Sequence, residues 1–183
     1  MPGYTLQDGL TLKNRLGVGA ASQPPAAVTV DLNGVHPFRE GNGRTQRVFI
    51  SELAQRAGHQ LDFSVVSRER MIQAGIAGNE KNDPNIMSRL FNEISDPARV
   101  AALSKAIGSL EQHGFAWNNH YIATTEPGHK VDVRLAGIAG DQFMARTKTA
   151  ILIGQSRDLP EPRPERGQED FTLAPASWLA AAD

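Results

Sequence analysis

The residues between His36 and Arg47 are of the types that can hold a polyphosphate beside an activated nucleophile. This one stretch contains a histidine, a carboxylate at Glu40, two glycines around Asn42, and arginines at Arg44 and Arg47. A histidine can accept a proton, a carboxylate can hold a divalent cation, and glycine N–H groups and guanidinium groups bind phosphate oxygens. The stretch therefore indicates transfer chemistry on a phosphate-bearing substrate.

The segment Gly41-Asn42-Gly43 lies where a helical pattern begins. The first turn of a helix has unpaired N–H groups and the positive end of the dipole, so it favours an anion. Glycines can adopt positive φ and let the backbone approach a ligand closely, which would form a nest of donors. Arg44 and Arg47 are three residues apart and share a helix face, and each can bind phosphate oxygens with two parallel hydrogen bonds. We predict that these five residues, Gly41, Asn42, Gly43, Arg44 and Arg47, bind the nucleotide phosphates.

Two further side chains of the stretch have predicted roles in catalysis. Glu40 is next to the nest, and its carboxylate suits Mg²⁺ that is held jointly with phosphate oxygens. His36 lies on the loop before the nest, and an unperturbed imidazole, with a pKa of about 6.5, can take a proton from a hydroxyl at neutral pH. We predict Glu40 as the metal ligand and His36 as the catalytic base.

Each of these residues alone also has a structural interpretation. A lone histidine is more often structural than catalytic, a Gly-Asn-Gly segment is commonly a turn, and a pair of arginines is commonly a solvated helix face. The presence of all of them at fixed spacing favours a functional site.

The stretch His36-Pro37-Phe38-Arg39-Glu40-Gly41-Asn42-Gly43-Arg44-Thr45-Gln46-Arg47 resembles the HPFx[D/E]GNGRxxR signature of Fic-domain proteins. That resemblance implies a protein adenylyltransferase, which moves AMP from ATP to a Tyr, Thr or Ser hydroxyl of a target protein. It also implies Mg²⁺ as cofactor, ATP as substrate, and the roles given above for His36, Glu40 and the phosphate-binding residues.

The resemblance extends to the Fic and following OB-like regions of secreted bacterial effectors. The similar segments are residues 4–17, 57–63, 68–72, 90–91, 94–97 and 117–154. Between residues 18 and 31 the chain has a Pro/Ala stretch where the family has further helices and a flap that docks the target. We therefore expect a truncated N-terminal segment, impaired target docking, and an exposed apolar face on helix 44–57 near Phe49 and Leu53. The family's inhibitory [ST]xxxE[GN] motif is not found in the sequence, so any inhibitor would be an antitoxin-like partner acting in trans.

Composition limits the class of protein. The chain has 183 residues, 40% hydrophobic and 21% charged, which is typical of a globular protein, and its formal net charge is -1. No overall basic field exists to attract nucleic acid, and a nucleic-acid partner is therefore not expected. The chain has no cysteine, no apolar run of membrane-spanning length, and no signal-peptide pattern at its start. We expect no membrane partner and a cytoplasmic location, with delivery into a host cell by a secretion system as the effector resemblance implies.

The order of patterns along the chain predicts an α+β protein. The predicted division is a partly irregular segment at 1–35, a helical Fic core at 36–114, an antiparallel OB-like β-unit at 115–175, and a tail at 176–183. Ser67, Asp83-Pro84 and Asp96-Pro97 are predicted helix starts, and Gly58 and Gly114 are predicted helix stops. Short alternating runs predict strands near 121–125, 130–135, 142–146 and 150–153, with a last strand near Phe171.

Two other functions compete with adenylyl transfer. The first is a catalytically inert Fic remnant that acts as a binding module; the shortened upstream region favours it, and the intact signature opposes it. The second is a nucleic-acid binder built on the β-unit, since OB surfaces stack bases on aromatic side chains beside basic ones. Tyr121, Phe143 and a few basic residues are a sparse set for that role, and core packing explains both aromatic side chains equally well.

Overall fold

A computed structural model of the chain describes residues 42–56, 58–80, 85–126, 132–165 and 171–172. The described part holds four α-helices and five strands, which confirms the predicted α+β class. The helices are α1 (Asn42–Arg56), α2 (Arg68–Glu80), α3 (Asn85–Ile94) and α4 (Pro97–Gln112). The strands are β1 (Tyr121–Thr124), β2 (Asp132–Ala139), β3 (Gln142–Arg146), β4 (Ala150–Gln155) and β5 (Phe171–Thr172). Short 3-10 helices lie at Phe63–Val65, Trp117–Asn119 and Ser156–Asp158.

The predicted helix starts are formed by side-chain caps. Ser67 Oγ accepts from the backbone N–H of Arg70 at 3.2 Å, which caps α2. Asp96 Oδ1 accepts from the N–H groups of Ala98 at 2.9 Å and Arg99 at 3.4 Å, which caps α4 ahead of Pro97. These bonds satisfy donors that the first helical turn leaves without an intrahelical partner. The predicted start at Asp83-Pro84 lies outside the described residues.

The predicted helix stops at Gly58 and Gly114 are both left-handed glycines, with φ of 84° and 69°. At the end of α1, Gly58 N donates to Gln55 O and His59 N donates to Ala54 O. At the end of α4, Gly114 N donates to Glu111 O and Phe115 N donates to Leu110 O. This pair of bonds is the Schellman arrangement, and a residue with a Cβ would be strained at either glycine.

The chain forms two compact units that alternate along the sequence. The first comprises residues 1–63 and 72–95, and the second comprises residues 64–71 and 96–183. The first unit contains α1, α3 and most of α2. The second contains the start of α2, the whole of α4, and the sheet. The predicted boundaries at 35/36, 114/115 and 175/176 stay a prediction.

The first unit buries apolar side chains from all three of its helices. Met87, Leu90 and Ile94 of α3 are almost fully buried, and so are Ile50 of α1 and Ala74 of α2. The loop after α1 is fixed to α3, because Asp62 N donates to Ile94 O at 3.0 Å. Edge-to-face packing of Phe63 on Phe91, with ring centroids 5.9 Å apart, adds an apolar contact at the same place.

The sheet of the second unit has the strand order β1-β4-β3-β2-β5. The pairs β2–β3, β3–β4 and β2–β5 are antiparallel, as predicted. The pair β1–β4 is parallel, so the prediction of a wholly antiparallel unit was wrong in this detail. A parallel pair requires a crossover between its strands, and here β2 and β3 intervene in sequence. The likeness of this unit to an OB fold stays a prediction.

The two faces of the sheet pack different groups. Residues paired across neighbouring strands point to the same face, so Thr124, Ile153 and Met144 share one face. Helix α4 covers this face, since Arg99 Nε of α4 donates to Thr124 Oγ1 at 2.7 Å. The other face holds a separate core of Val133, Leu135, Phe143, Ala145 and Leu159, with Leu152 packed against it.

A second buried arginine binds the same edge of the sheet. Arg70 Nη1, at the start of α2, donates to the carbonyl oxygen of Ile122 at 3.2 Å, and its guanidinium lies 5.6 Å from the centre of the Tyr121 ring. Tyr121, which had been considered as a base-stacking residue, therefore lies against an arginine of its own unit. Arg70 and Arg99 are 2% and 8% exposed, and together they tie β1 to two helices.

Candidate phosphate-binding site at the start of the first helix

Helix α1 begins at Asn42, within the segment that the sequence marks as a phosphate nest. The N–H groups of the first helical turn therefore belong to Asn42, Gly43, Arg44 and Thr45. None of the residues in this turn is acidic, so no carboxylate of the turn competes for those donors. A helix start of this kind attracts an anion through its free N–H groups and its dipole.

Gly43 lies in the helix and is outside the left-handed region of φ. The expectation that Gly43 adopts positive φ was therefore wrong, because the helix starts at Asn42, two residues before the predicted start at Arg44. Because Gly43 has no side chain, it leaves the backbone of the exposed first turn uncovered. A Cβ placed there would stand 3.7 Å from Arg47 Nη1, which is ordinary van der Waals contact.

That distance also locates the guanidinium of Arg47. Side chains on a helix lean toward its N-terminus, and the half-buried Arg47 reaches back to the first turn beside Gly43. Its charge therefore adds to the field of the helix start. The structure brings the Arg47 guanidinium close to the backbone of Gly43, and phosphate binding by these two residues stays a prediction.

Arg44 is exposed on the first turn, next to Gly43 in sequence. Its spacing from Arg47 places both arginines on one side of α1, so two guanidinium groups can reach a ligand at the first helical turn. The remaining predicted residues, His36, Glu40 and Gly41, lie outside the described residues, and so does the side chain of Asn42. Their roles stay predictions.

Helix α1 has a narrow buried stripe and an exposed apolar side. Gln46, Ile50 and Ala54 follow each other at intervals of four and are 7%, 1% and 1% exposed. Val48 and Phe49 are 66% and 41% exposed, so the predicted exposed apolar face is present, although Leu53 is half-buried.

Sequence reasoning missed the burial of Gln46. It is a polar residue within the signature, directly before Arg47, and it has a hydrogen-bonding or electrostatic contact in the structure. Its interval of four from Ile50 was the signal that could have placed it on the buried stripe. A buried amide at this position can restrict the rotation of the helix that carries the arginines.

Known proteins similar to this chain share the same signature region. The Fic/DOC family model matches residues 22–54, which include every predicted site residue. A protein adenylyltransferase of Bartonella henselae is 38% identical over 129 residues, which are 70% of this chain and 24% of that protein. The protein adenylyltransferase VbhT of Bartonella schoenbuchensis is 48% identical over 61 residues, 33% of this chain and 13% of that protein.

The solved structure of the type IV secretion system effector protein BepA extends the likeness over nearly the whole chain. It superposes with a TM-score of 0.82 at 29% identity and covers 96% of this chain and 63% of that chain. Residues 22–54 of this chain are therefore a region of the Fic/DOC family. The chain resembles BepA in both its helical part and its β-part, and it spans about a quarter of the length of the first of the relatives above.

Two findings bear on the expectations about a membrane and a metal ion. Among the described helices, none is both long and apolar enough to cross a membrane. Within the described residues, no three histidine, aspartate or glutamate side chains come together as a metal site. The predicted magnesium ligand, Glu40, is outside that search.

Proposed function

We propose that this Fic-domain protein is a protein adenylyltransferase, which transfers AMP from ATP to a hydroxyl side chain of a target protein. The observation that carries the proposal is the placement of Arg47 beside Gly43 on the first turn of α1. That placement supports the proposal, because it brings a cationic group to the first helical turn, where a polyphosphate would bind. The adenylyltransferase names of the similar Bartonella proteins support the choice of nucleotide transfer among phosphate chemistries.

The triphosphate of ATP would bind at the start of α1. The N–H groups of the first turn and the two guanidinium groups of Arg44 and Arg47 are donors without acceptor capacity, which suits an anion with many acceptor oxygens. Arginine binds such oxygens with paired hydrogen bonds, which fixes orientation as well as charge. Negative charge that develops on the phosphates during transfer would meet donors already in place.

Glu40 would hold Mg²⁺ together with phosphate oxygens. A single carboxylate shared with a bound phosphate is a common magnesium arrangement, and Glu40 is two residues before the first helical residue. When bound, the ion neutralises phosphate charge and orients the leaving group.

His36 would act as the general base. Its imidazole would take the proton of a Tyr, Thr or Ser hydroxyl as the hydroxyl oxygen attacks the α-phosphorus of ATP. One P–O bond forms to the target, the bond from the α-phosphorus to the bridging oxygen breaks, and pyrophosphate leaves with the electron pair. The products are an AMP-modified protein and pyrophosphate, with no change in oxidation state.

A label-transfer experiment tests the proposal directly. The purified chain is incubated with Mg²⁺, α-³²P-ATP and a cell lysate, in parallel with His36→Ala and with His59→Ala as a matched control. His59 is exposed just after α1 and takes part in the helix stop through its backbone, so its side chain should not matter. We expect labelled protein bands with the parent chain and the control, and none with His36→Ala. Equal labelling by His36→Ala would remove this residue from the mechanism.

The competing function, an inert Fic remnant that acts as a binding module, predicts a different pattern. In that case no band is labelled, while calorimetry still detects ATP binding that depends on Arg47. If the chain neither labels a protein nor binds ATP, both functions are contradicted.

The partners and location follow from the proposed reaction. The target is a protein with an accessible hydroxyl side chain, and an antitoxin-like inhibitor in trans is the proposed regulator. We also propose that the chain acts in the bacterial cytoplasm or in a host cell after delivery by a secretion system. The likeness to a type IV secretion system effector supports the delivery. Fusion to a cytosolic reporter that is activated in host cells, with a secretion-deficient strain as control, tests it.

A further inference from the structure

A cavity of about 330 Å³ lies in the second unit, between helix α4 and the sheet. Its walls are mainly apolar and include Ala106 of α4, Gly137 of β2, Met144 of β3 and Ile153 of β4. This size and lining are typical of small-molecule sites, which are mostly apolar with a few polar groups that orient the ligand. The cavity is made from residues that the proposed transfer reaction does not use.

The sheet register places three of the lining residues on one face. Gly137 pairs with Met144, and Met144 pairs with Ile153, so these positions point in the same direction. This is the face that α4 covers. A Cβ built on Gly137 would meet no atom within 4 Å, which shows free space directly above the strand.

The polar side chains that line the cavity include one cation and two neutral groups. Among the described lining residues, the polar side chains are those of Lys105, Ser109 and Gln142, and the charged one is a cation. An apolar chamber with an ammonium and two neutral hydrogen-bonding groups is complementary to an apolar molecule that carries one negative group.

The Lys105 ammonium is held by a partner that a ligand can displace. Lys105 Nζ lies 2.9 Å from Asp141 Oδ1 on the β2–β3 turn, with side chains 57% and 82% exposed. The hydrogen bond from Lys105 lowers the pKa of the Asp141 carboxyl, so Asp141 stays ionised at neutral pH. Exposed ion pairs of this kind contribute little net free energy, and a carboxylate at the cavity mouth can compete for the same ammonium.

We propose that this cavity binds a medium-chain carboxylate, with its alkyl chain among Ala106, Gly137, Met144 and Ile153 and its carboxylate on Lys105. A water-sized group takes roughly 30 Å³ in a liquid, so the cavity has room for about ten such groups. An eight-carbon acid has that many non-hydrogen atoms. Burial of the alkyl chain away from water contributes binding free energy. The charged hydrogen bond to Lys105 favours the acid over neutral analogues.

The test uses the intact chain and two probes, octanoate and 1-octanol, followed by amide chemical shifts and by calorimetry. Octanoate should shift the amides of Ala106, Gly137 and Met144. Lys105→Met keeps the apolar stem of the side chain and should weaken octanoate binding roughly tenfold, the usual effect of losing a charged hydrogen bond. The same change should leave 1-octanol binding within about twofold, because octanol has no charge to lose.

Two further variants separate charge from volume. Asp141→Asn removes the carboxylate that pairs with the Lys105 ammonium, so it should strengthen octanoate binding about two- to fivefold. The affinity for 1-octanol should not change. Gly137→Val fills the cavity at a position with free space, and valine suits a strand, so the variant should fold normally. It should weaken the binding of both octanoate and 1-octanol at least tenfold.

Each outcome bears on the proposal. The proposal is overturned if millimolar octanoate shifts no amide signal. It is also overturned if the Gly137→Val variant melts cooperatively and still binds octanoate as tightly as the parent chain. Equal affinity for the acid and the alcohol, or octanoate binding that Lys105→Met does not change, overturns the carboxylate assignment. The combination of acid preference, loss in Lys105→Met and gain in Asp141→Asn supports it.

Discussion

Gly43 stands at the second position of α1, and the structure gives it no steric reason to be glycine. The position is helical, and a Cβ would be in ordinary contact with Arg47 Nη1 at 3.7 Å. We predict that Gly43→Ala raises the free energy of unfolding by about 0.5–1 kcal/mol, because alanine loses less backbone entropy in a helix. We predict at the same time a fall in ATP affinity, since the methyl group would stand between the first turn and a phosphate.

The two effects of Gly43→Ala are measured by urea unfolding without ligand and by calorimetry with ATP and Mg²⁺. Higher stability with unchanged ATP affinity would place the phosphates elsewhere. A loss of stability would contradict the helical conformation at this residue.

Arg47 has a closely matched control at the other end of the same helix. We predict that Arg47→Ala weakens ATP binding roughly tenfold or more, as expected for a charged, paired hydrogen bond to phosphate. Arg56→Ala removes an equal charge from the last turn, where the exposed side chain pairs with Glu52 at 3.1 Å. It should leave the ATP dissociation constant within about twofold, because the charge is far from the first turn along the helix. An equal loss in both variants would indicate a general charge effect and no site.

At the residue scale, the sequence predicted part of the local geometry of α1. The interval between Arg44 and Arg47 predicted a shared helix face, because helix geometry alone determines it. The return of the Arg47 guanidinium to Gly43, and the burial of Gln46, depend on rotamers and packing that no local pattern encodes. The conformation of Gly43 was predicted wrongly because the start of a helix is uncertain by a residue or two without the surrounding structure.

Among the described glycines, Gly154 of β4 has the least room for a side chain. Gly154 pairs with Phe143 in the sheet, and a Cβ at Gly154 would clash with the Phe143 ring. We predict that Gly154→Ala lowers the free energy of unfolding by about 1–3 kcal/mol, as is usual for overpacking a core. Urea unfolding measures the loss.

A double-mutant cycle shows whether the clash with Phe143 is the cause. Phe143→Leu reduces the ring to a smaller side chain, so the cost of Gly154→Ala should be smaller in that background. Additive losses would assign the effect of Gly154→Ala to something other than the ring.

The elements themselves were largely predictable, and the reason is locality. The caps at Ser67 and Asp96 and the left-handed stops at Gly58 and Gly114 depend on a few neighbouring residues, so their sequence signals were sufficient. The strand positions near 121–124 and 142–146 followed from alternation. The parallel pairing of β1 with β4 was not predictable in this way, because it joins residues distant in sequence and depends on which edge of the sheet is free.

At the scale of the whole molecule, the proposed phosphate site and the sheet belong to different compact units. We therefore predict that Gly154→Ala, although it destabilises the sheet, leaves ATP affinity within about twofold at temperatures where the chain is folded, because the substitution and the proposed phosphate site belong to separate compact units. Calorimetry at 15 °C, with Arg47→Ala as the positive control, measures this. A large loss of ATP affinity in Gly154→Ala would show energetic coupling between the units.

The parallel edge strand also has a consequence for the order of folding. β2, β3 and β4 are joined by short connections and can form as successive hairpins, which takes about 1–10 μs for an isolated hairpin. Tyr121 meets Ala150 only after the chain has closed a loop that contains β2 and β3, and this closure costs entropy before any contact between β1 and β4 is made. β1 should therefore join the sheet after β2, β3 and β4 have paired, and in pulse-labelling hydrogen exchange during refolding its amides should gain protection after those of β3.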